Sequence, residues 1–269
     1  RGYRTGKKSS KGLITRWPIQ AINNSTQISS NECLSELSFL HWDDIARANW
    51  PRQPLEILGQ CFRYAFFYLF RGTIIHIARL CPGVALCGAY PLLFLIFSFG
   101  TAIAIGNLTY TSLKIFSTPD LTRIFVGLVG TCLTLWGSWK IADRIGVTWL
   151  TRSILFTHRL GQARDKGLRE RVQMLAFELT NLEKENPAEA IRLVGHSSGS
   201  FVMAMLAAEL KRNPDSSQLL ERVELLTLGQ NLANLSVYPD ANSFREDLKL
   251  LASDPKLPWR DITSKEDLL

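Results

Sequence analysis

The residues with the clearest chemical potential form the run Gly195-His196-Ser197-Ser198-Gly199. Glycine two positions before and after a serine is typical of a sharp turn between a strand and a helix, where larger side chains would clash. Such a turn exposes the serine Oγ. It also directs the next backbone N–H, here that of Ser198, to where negative charge develops on a reacting carbonyl oxygen. The spacing therefore predicts a nucleophile, Ser197, with an oxyanion donor at Ser198 between the glycines Gly195 and Gly199.

The pattern alone is weak, but its surroundings agree with it. Ala190–Val194 is a short apolar run that predicts a strand before the turn, and the apolar stripe in 199–211 predicts a helix after it. Arg222–Leu228 predicts a second strand, so the order is that of a parallel βαβ unit. Further elements are predicted as a helix with apolar residues from Leu168 to Leu182, a helix at Ser243–Ala252 and a strand at Pro258–Thr263. The alternative is a tight turn of small residues without chemistry.

A resemblance supports the catalytic interpretation. Leu193–Ser200 resembles the nucleophile elbow of α/β-hydrolases, especially of class 3 lipase-like proteins, and Leu225–Gln230 resembles the strand that follows it. Ser243–Leu248 and Trp259–Ser264 look like stretches of bacterial membrane proteins that contain such a domain. The resemblance covers roughly residues 140–269. It implies an α/β fold with a partial α/β-hydrolase-like parallel sheet and flanking helices.

In that family an acid follows a later strand and a histidine follows the acid. Asp267 is the favoured acid because it comes just after the last predicted strand, whereas Asp261 lies within that strand and is the alternative. No histidine follows either acid; the four histidines are His41, His76, His158 and His196. We therefore expect the hydrolase-like domain, 151–269, to be truncated at its C-terminus, with the base in missing sequence.

Two of the histidines, His158 and His196, are candidates for the base within this chain. His158 is formally admissible because the chain order of catalytic triads varies. Its basic amphipathic surroundings instead predict a surface or interfacial residue. His196 is predicted to point away from the serine and to pack in the elbow.

The chain before this domain is apolar and predicts a membrane region, 56–150. No charged residue occurs from Leu80 to Leu113, and residues 84–106 are long enough to cross a hydrocarbon core of about 30 Å. Residues 121–142 predict a second transmembrane helix, with a buried helix of a soluble domain as the alternative. Residues 61–81 contain three arginines among aromatic residues and predict one helix lying in the membrane interface.

Residues 1–55 are basic and polar, which favours a mobile N-terminal segment with a short helix between Cys33 and Trp50. Lysine and arginine outnumber acids by eleven to five in 1–79 and by eight to three in 140–171. The connector between the two predicted spans is nearly neutral. The positive-inside rule therefore puts the N-terminus and the hydrolase-like domain in the cytoplasm, at a bacterial inner membrane.

The remaining composition narrows the functional classes. Five cysteines without metal spacing favour a reducing compartment, and no cofactor or metal is expected. The net charge of +7 suits a membrane surface rather than nucleic acid, because the same chain contains long apolar runs without charge. The basic clusters also lack the strand pattern with interleaved aromatic residues that is typical of proteins that bind single-stranded nucleic acid.

Three functional hypotheses follow. The first is a membrane-anchored serine hydrolase, esterase or lipase-like, with membrane lipids as partners and an ester or acyl-lipid substrate. The second is a non-catalytic membrane protein whose hydrolase-like domain is a binding or assembly module. The third, a small membrane scaffold or transporter component, is disfavoured because the two spans contain no internal charge.

Overall fold

A computed structural model describes residues 2–22, 35–70, 72–80, 82–164 and 167–263. The protein is a mixed α/β structure, 65% helical, with a small parallel sheet and two long apolar helices. It divides into two compact units. The α/β unit takes the described residues within 1–49, 164–232 and 241–264, and the helical unit takes those within 50–163 and 233–240.

The units are interleaved along the chain, unlike the three consecutive segments 1–55, 56–150 and 151–269 that the sequence predicts. The N-terminal residues belong with the α/β unit because they are bonded to its helices. Leu13 N–H donates to Glu178 at 2.9 Å, and Lys11 pairs with Glu185 at 3.2 Å. The segment Val147–Gly161 belongs to the helical unit, because it packs against the helices before it.

The N-terminal region is an antiparallel sheet rather than a mobile arm. Its strands are β1 (Gly2–Thr5), β2 (Ser9–Lys11), β3 (Ile14–Ile22) and β4 (Ser35–Leu40), and β3 pairs with the other three. The expected helix from Cys33 is wrong over Ser35–Leu40, and only a short helix, α1 (Asp43–Ala48), follows. The prediction overlooked the turn at Gly12, whose φ of +56° suits a two-residue hairpin between β2 and β3.

The α/β unit continues with a second set of elements, most of them close to those predicted. They are the helices α7 (Leu168–Glu185), α8 (Gly199–Arg212), α9 (Ser217–Leu220) and α11 (Asn242–Ala252), the 3-10 turn Pro214–Ser216, and the strands β5 (Ile191–His196), β6 (Val223–Leu228) and β7 (Trp259–Ile262). The strands are parallel in the order β5-β6-β7, and the register aligns Gly195 with Thr227 and Thr227 with Asp261.

Helix α8 is the centre of this unit. Nearly all its side chains are buried, from Phe201 to Leu210, and it contacts β5, β6, α7 and α11. The opposite face of the sheet is open in the part of the chain that the structure describes, since Val194 and Ile262 are about half exposed. The prediction of helices flanking the sheet therefore holds for one face among the described residues.

Two guanidinium groups hold helix α11 against α7 and α8. The Asp247 carboxylate of α11 is fully buried; Arg169 of α7 donates to it at 2.6 Å, and Arg212 of α8 donates to its other oxygen. Removing a buried charge while leaving its partners in place is costly, because the remaining charges lose their compensation.

We expect Asp247→Asn to lower the free energy of unfolding by about 2 kcal/mol, the value of a lost hydrogen bond to a charged group. Chemical unfolding of the detergent-solubilised protein measures this change. The exposed Asp215, whose pairing with Lys184 spans 3.9 Å, supplies the control Asp215→Asn, expected to change the value by less than about 0.5 kcal/mol. Equal effects of the two substitutions would contradict the buried network.

Among the described residues, two helices of the helical unit are long and apolar enough to cross a membrane. The helices of this unit are α2 (Pro54–Phe70), α3 (Thr73–Leu80), α4 (Pro82–Lys114), α5 (Asp120–Arg144) and α6 (Val147–Gly161), with most of the short helix α10 (Leu232–Ser236). Only 17% and 6% of the most apolar windows of α4 and α5 are buried. A core helix of a soluble protein would be mostly buried, so their exposure favours a lipid-facing surface.

The helices predicted at 61–81 and 84–106 differ from those of the structure in where they end. The single helix expected at 61–81 is interrupted, because Gly72 has a φ of +64° between α2 and α3. Helix α4 extends beyond 106 to Lys114, which leaves a connector of only five residues before α5. The Thr109 and Thr111 hydroxyls donate hydrogen bonds to backbone carbonyls one turn earlier in the helix. Because these bonds satisfy the polar side chains, the helix continues through this polar sequence.

Small residues bring α4 and α5 close together. A Cβ at Gly106 would lie 2.0 Å from the Thr131 hydroxyl and 3.0 Å from the Gly127 carbonyl oxygen. Close approach through small residues is the usual way in which membrane helices pack. The hairpin of α4 and α5 is therefore a packed pair.

Candidate active site

Ser197 occupies a left-handed backbone conformation, with a φ of +50°, between the end of β5 and the start of α8. Among the described residues, Ser117 and Ala163 are the other non-glycine residues with positive φ, and both lie just beyond the C-terminus of a helix. Left-handed residues are common at that position. Ser197 instead lies before a helix, so this explanation does not apply to it. The left-handed conformation costs a non-glycine residue about 1–2 kcal/mol. Such strain is concentrated at functional sites.

The two glycines of the elbow have different roles. A Cβ at Gly195 would lie 2.7 Å from Ser200 Cα, 2.8 Å from the Gly199 carbonyl oxygen and 2.9 Å from Ser200 N. All three atoms are backbone, so strand β5 approaches helix α8 too closely for any other residue. A Cβ at Gly199 meets no atom within 4 Å. The sequence predicts that a larger side chain would clash at both glycines. This prediction holds for Gly195 and is wrong for Gly199.

Hydrogen bonds hold the turn on both sides. Ser197 N–H donates to the Leu228 carbonyl at the end of β6, over 3.0 Å. The fully buried Ser200 donates its hydroxyl to the Gly195 carbonyl at 3.3 Å, and its N–H to the Ser197 carbonyl at 3.0 Å. The Ser197 side chain is half exposed. The turn is thus fixed by its backbone while the hydroxyl stays accessible.

The first turn of α8 begins directly after Ser197 and Ser198, and it is a source of positive potential next to the Ser197 hydroxyl. The Ser198 side chain, at the N-cap, makes no capping hydrogen bond. The N–H groups at the start of a helix have no partner within it, and they carry the positive end of the helix dipole. A 14-residue helix directly after Ser197 suits the stabilisation of an oxyanion next to that residue.

Asp261, the alternative acid, lies at the end of β7 and is held by neighbouring side chains. The Thr227 hydroxyl donates to it at 2.8 Å and the Gln230 amide at 3.3 Å, while Trp259 donates to the Thr227 oxygen at 3.2 Å. This network joins β6 to β7 and was not predicted from the sequence. The favoured acid, Asp267, lies outside the described residues.

The four histidines have separate environments. His41 is hydrogen-bonded to the Thr15 hydroxyl at 2.7 Å within the N-terminal sheet, and His76 is exposed on α3. His196 is exposed at the end of β5, in place of the packed position predicted for it. His158 is buried in the helical unit, so the prediction of a surface residue is wrong.

An aromatic cluster explains the burial of His158. The rings of Tyr64, Phe67, Tyr68 and Tyr238 lie 4.9–6.3 Å from the imidazole, and the hydroxyls of Tyr68 and Tyr238 are hydrogen-bonded. Burial raises the pKa of these tyrosine hydroxyls above its usual value. Within the α/β unit, neither His41 nor His196 forms a hydrogen bond with Ser197 among the described residues.

No group of three or more His, Cys, Asp or Glu side chains within the described ranges is placed to hold a metal ion. Comparison with protein-family models, with curated proteins and with solved structures finds no match to this chain. The resemblance to class 3 lipase-like proteins therefore stays a prediction from the residues.

The left-handed conformation of Ser197 has a measurable consequence for stability. Glycine adopts positive φ without steric cost, whereas alanine does not and a β-branched residue is worse still. We expect Ser197→Gly to be more stable than Ser197→Ala by about 1 kcal/mol, and Ser197→Val to be less stable than both. Denaturant unfolding of the three variants in one detergent measures the order. The reverse order would show that residue 197 has an ordinary backbone conformation.

Proposed function

We propose that this chain is a membrane-anchored serine hydrolase that cleaves a carboxylic ester, with an acyl lipid as its substrate class. The observation that supports this most strongly is the strained backbone of Ser197 in a strand–turn–helix setting. Ser197 is partly exposed, its backbone is fixed, and the neighbouring Ser198 N–H makes no hydrogen bond among the described residues. Esters react through a tetrahedral oxyanion, which an N–H in this position stabilises.

In this proposal each residue of the elbow has one role. Ser197 Oγ attacks the ester carbonyl carbon and gives its proton to the base, while the Ser198 N–H donates to the oxyanion. The C–O bond to the alcohol then breaks, the alcohol leaves with that proton, and water hydrolyses the resulting acyl-enzyme to the carboxylic acid. Asp267 orients the base and stabilises its protonated form. Asp261 has a structural role, because its carboxylate is already used to join β6 to β7.

The location is part of the same proposal. Helices α4 and α5 anchor the protein, and the basic residues on both sides of them put the N-terminus and the α/β unit in the cytoplasm of a bacterium. An anchor keeps the site near membrane lipids, which suits an acyl-lipid substrate. The exposed stripe of Phe62, Phe66 and Phe70 on α2 supports an interfacial position for that helix.

A second function is favoured by one observation: among the described residues, neither histidine of the α/β unit forms a hydrogen bond with Ser197. Without a base the hydroxyl is a weak nucleophile. The α/β unit would then be a non-catalytic binding or assembly module that keeps the elbow as a structural turn.

A fluorophosphonate probe separates the two functions, since it reacts only with activated serines. We expect the full chain in lipid nanodiscs to be labelled, and Ser197→Ala to abolish the labelling. Ser198→Ala is the matched control, because it removes the neighbouring hydroxyl and keeps the backbone N–H. Absence of labelling in the folded wild-type protein would favour the binding module.

A further inference from the structure

The helical unit contains an apolar cavity of about 340 Å³ between α2, α4, α5 and α6. Sites for small molecules have volumes of about 300–1,000 Å³, so this cavity lies at the lower end of that range. Its wall includes Ile57 and Cys61 from α2, Leu95 and Phe99 from α4, Trp139 from α5 and Val147 from α6. Among the residues that the structure describes, no charged side chain lines the cavity.

One polar side chain in the wall of the cavity lacks a hydrogen-bond partner among the described residues. Thr148 is 4% exposed, and its hydroxyl makes no hydrogen bond among the described residues. A buried hydroxyl without a partner is destabilising, so its presence at a cavity indicates an acceptor supplied by a ligand.

The position of the cavity identifies the source of such a ligand. Trp136 lines the cavity and is 63% exposed on the outer surface of α5, so the cavity reaches the surface that faces lipid. Lys140 lies over the Trp136 ring, 5.8 Å from its centroid. Tryptophan with a neighbouring lysine is typical of the membrane interface, where lipid ester groups lie.

We propose that this cavity binds one acyl chain of a membrane phospholipid, with the ester carbonyl of that chain accepting a hydrogen bond from Thr148. The apolar wall takes the hydrocarbon, and Lys140 lies where an anionic head group would be. Burial also raises the pKa of the Cys61 thiol to about 11, which supports a dry wall on the α2 side. This site rests on the proposed membrane anchoring by α4 and α5, and it is independent of the proposed hydrolase activity.

Native mass spectrometry tests the proposal with dioleoylphosphatidylglycerol added to the delipidated full chain. We expect one lipid to be retained per protein. Ala142 lines the cavity and is 5% exposed, so the variant Ala142→Phe fills the cavity. We expect the amount of retained lipid to fall at least about tenfold in this variant. Ala104→Phe, on the exposed surface of α4, is the control and leaves retention unchanged. Equal loss in both variants, or no retained lipid in the wild type, would overturn the site.

Thr148→Val provides a second readout that does not depend on filling the cavity. It keeps the shape of the side chain and removes the unpaired hydroxyl. We expect the delipidated variant to unfold at a higher temperature than the wild type, and to retain about threefold less lipid. A lower unfolding temperature would contradict the unpaired hydroxyl. Oleic acid tested in parallel identifies the source: retention of oleic acid but not of the phospholipid would overturn the phospholipid assignment.

Discussion

Ser197→Ala is expected to lower the rate of ester hydrolysis by about 10⁴-fold or more, leaving only the residual rate that substrate binding and the oxyanion donor support. The substitution removes the only atom that forms the acyl-enzyme bond, while every backbone contact of the turn remains. The hydrogen bond from residue 197 N–H to the Leu228 carbonyl, at 3.0 Å, is unaffected. The measurement is the turnover of a short p-nitrophenyl ester by the full chain in nanodiscs.

Ser198→Ala is the control for this experiment because its side chain makes no capping bond in the structure. Its rate should stay within a few-fold of the wild type. Both variants should unfold like the wild type, since both side chains are half exposed. If Ser198→Ala lost as much activity as Ser197→Ala, the roles of the two serines would be wrongly assigned.

Gly195→Ala is expected to have the second-largest effect. The new Cβ would lie 2.7–2.9 Å from three backbone atoms of Gly199 and Ser200, and no rotamer change relieves contacts with backbone. We expect a loss of about 3 kcal/mol in the free energy of unfolding, at the upper end of the usual cost of overpacking. Because strand and helix must separate, the fluorophosphonate labelling rate should fall at least tenfold.

Gly199→Ala is the matched control, since its Cβ meets no atom within 4 Å. Alanine favours the helical conformation over glycine, so this variant should be as stable as the wild type or more stable by up to about 1 kcal/mol. Denaturant unfolding and labelling of both variants complete the comparison. Equal costs at the two glycines would show that β5 and α8 are not in close contact.

The elements of the α/β unit from α7 to β7 could be predicted because their patterns are local. The strands predicted at Ala190–Val194 and Arg222–Leu228 correspond to β5 and β6 within two residues at each end. Helix α11 was predicted from Ser243 and begins at Asn242. In each case a short apolar run or a single helical stripe stands between clear turn residues.

The N-terminal sheet was missed because its stability comes from distant partners. Strand β2 is fully exposed, and the turn at Gly12 is held by Glu178, which lies 165 residues away from its partner Leu13. Arg171 likewise holds Asp44 through two hydrogen bonds of 2.7 Å, and lowers the pKa of that carboxyl. Composition alone cannot reveal contacts of this kind.

In the candidate site, the sequence predicted the turn and its serine but not the surroundings. A five-residue pattern does not specify the path of the backbone. The left-handed φ of Ser197 and the empty space where a Cβ of residue 199 would lie both depend on that path. The position of Asp261 in a network with Thr227 and Gln230 depends on the register of β6 and β7. His158 was expected at the surface, but its apolar partners come from α2 and from Tyr238, both far away in sequence.

The most direct test of the central claim is the identification of the residue that a fluorophosphonate modifies in the wild-type chain. Trypsin releases the elbow in one peptide, Leu193–Lys211, which contains Ser197, Ser198 and Ser200. Fragmentation of the labelled peptide distinguishes the three serines. We predict a single adduct on Ser197. An adduct on another serine, or an unmodified peptide from folded protein treated with excess probe, would contradict the assignment of Ser197 as an activated nucleophile.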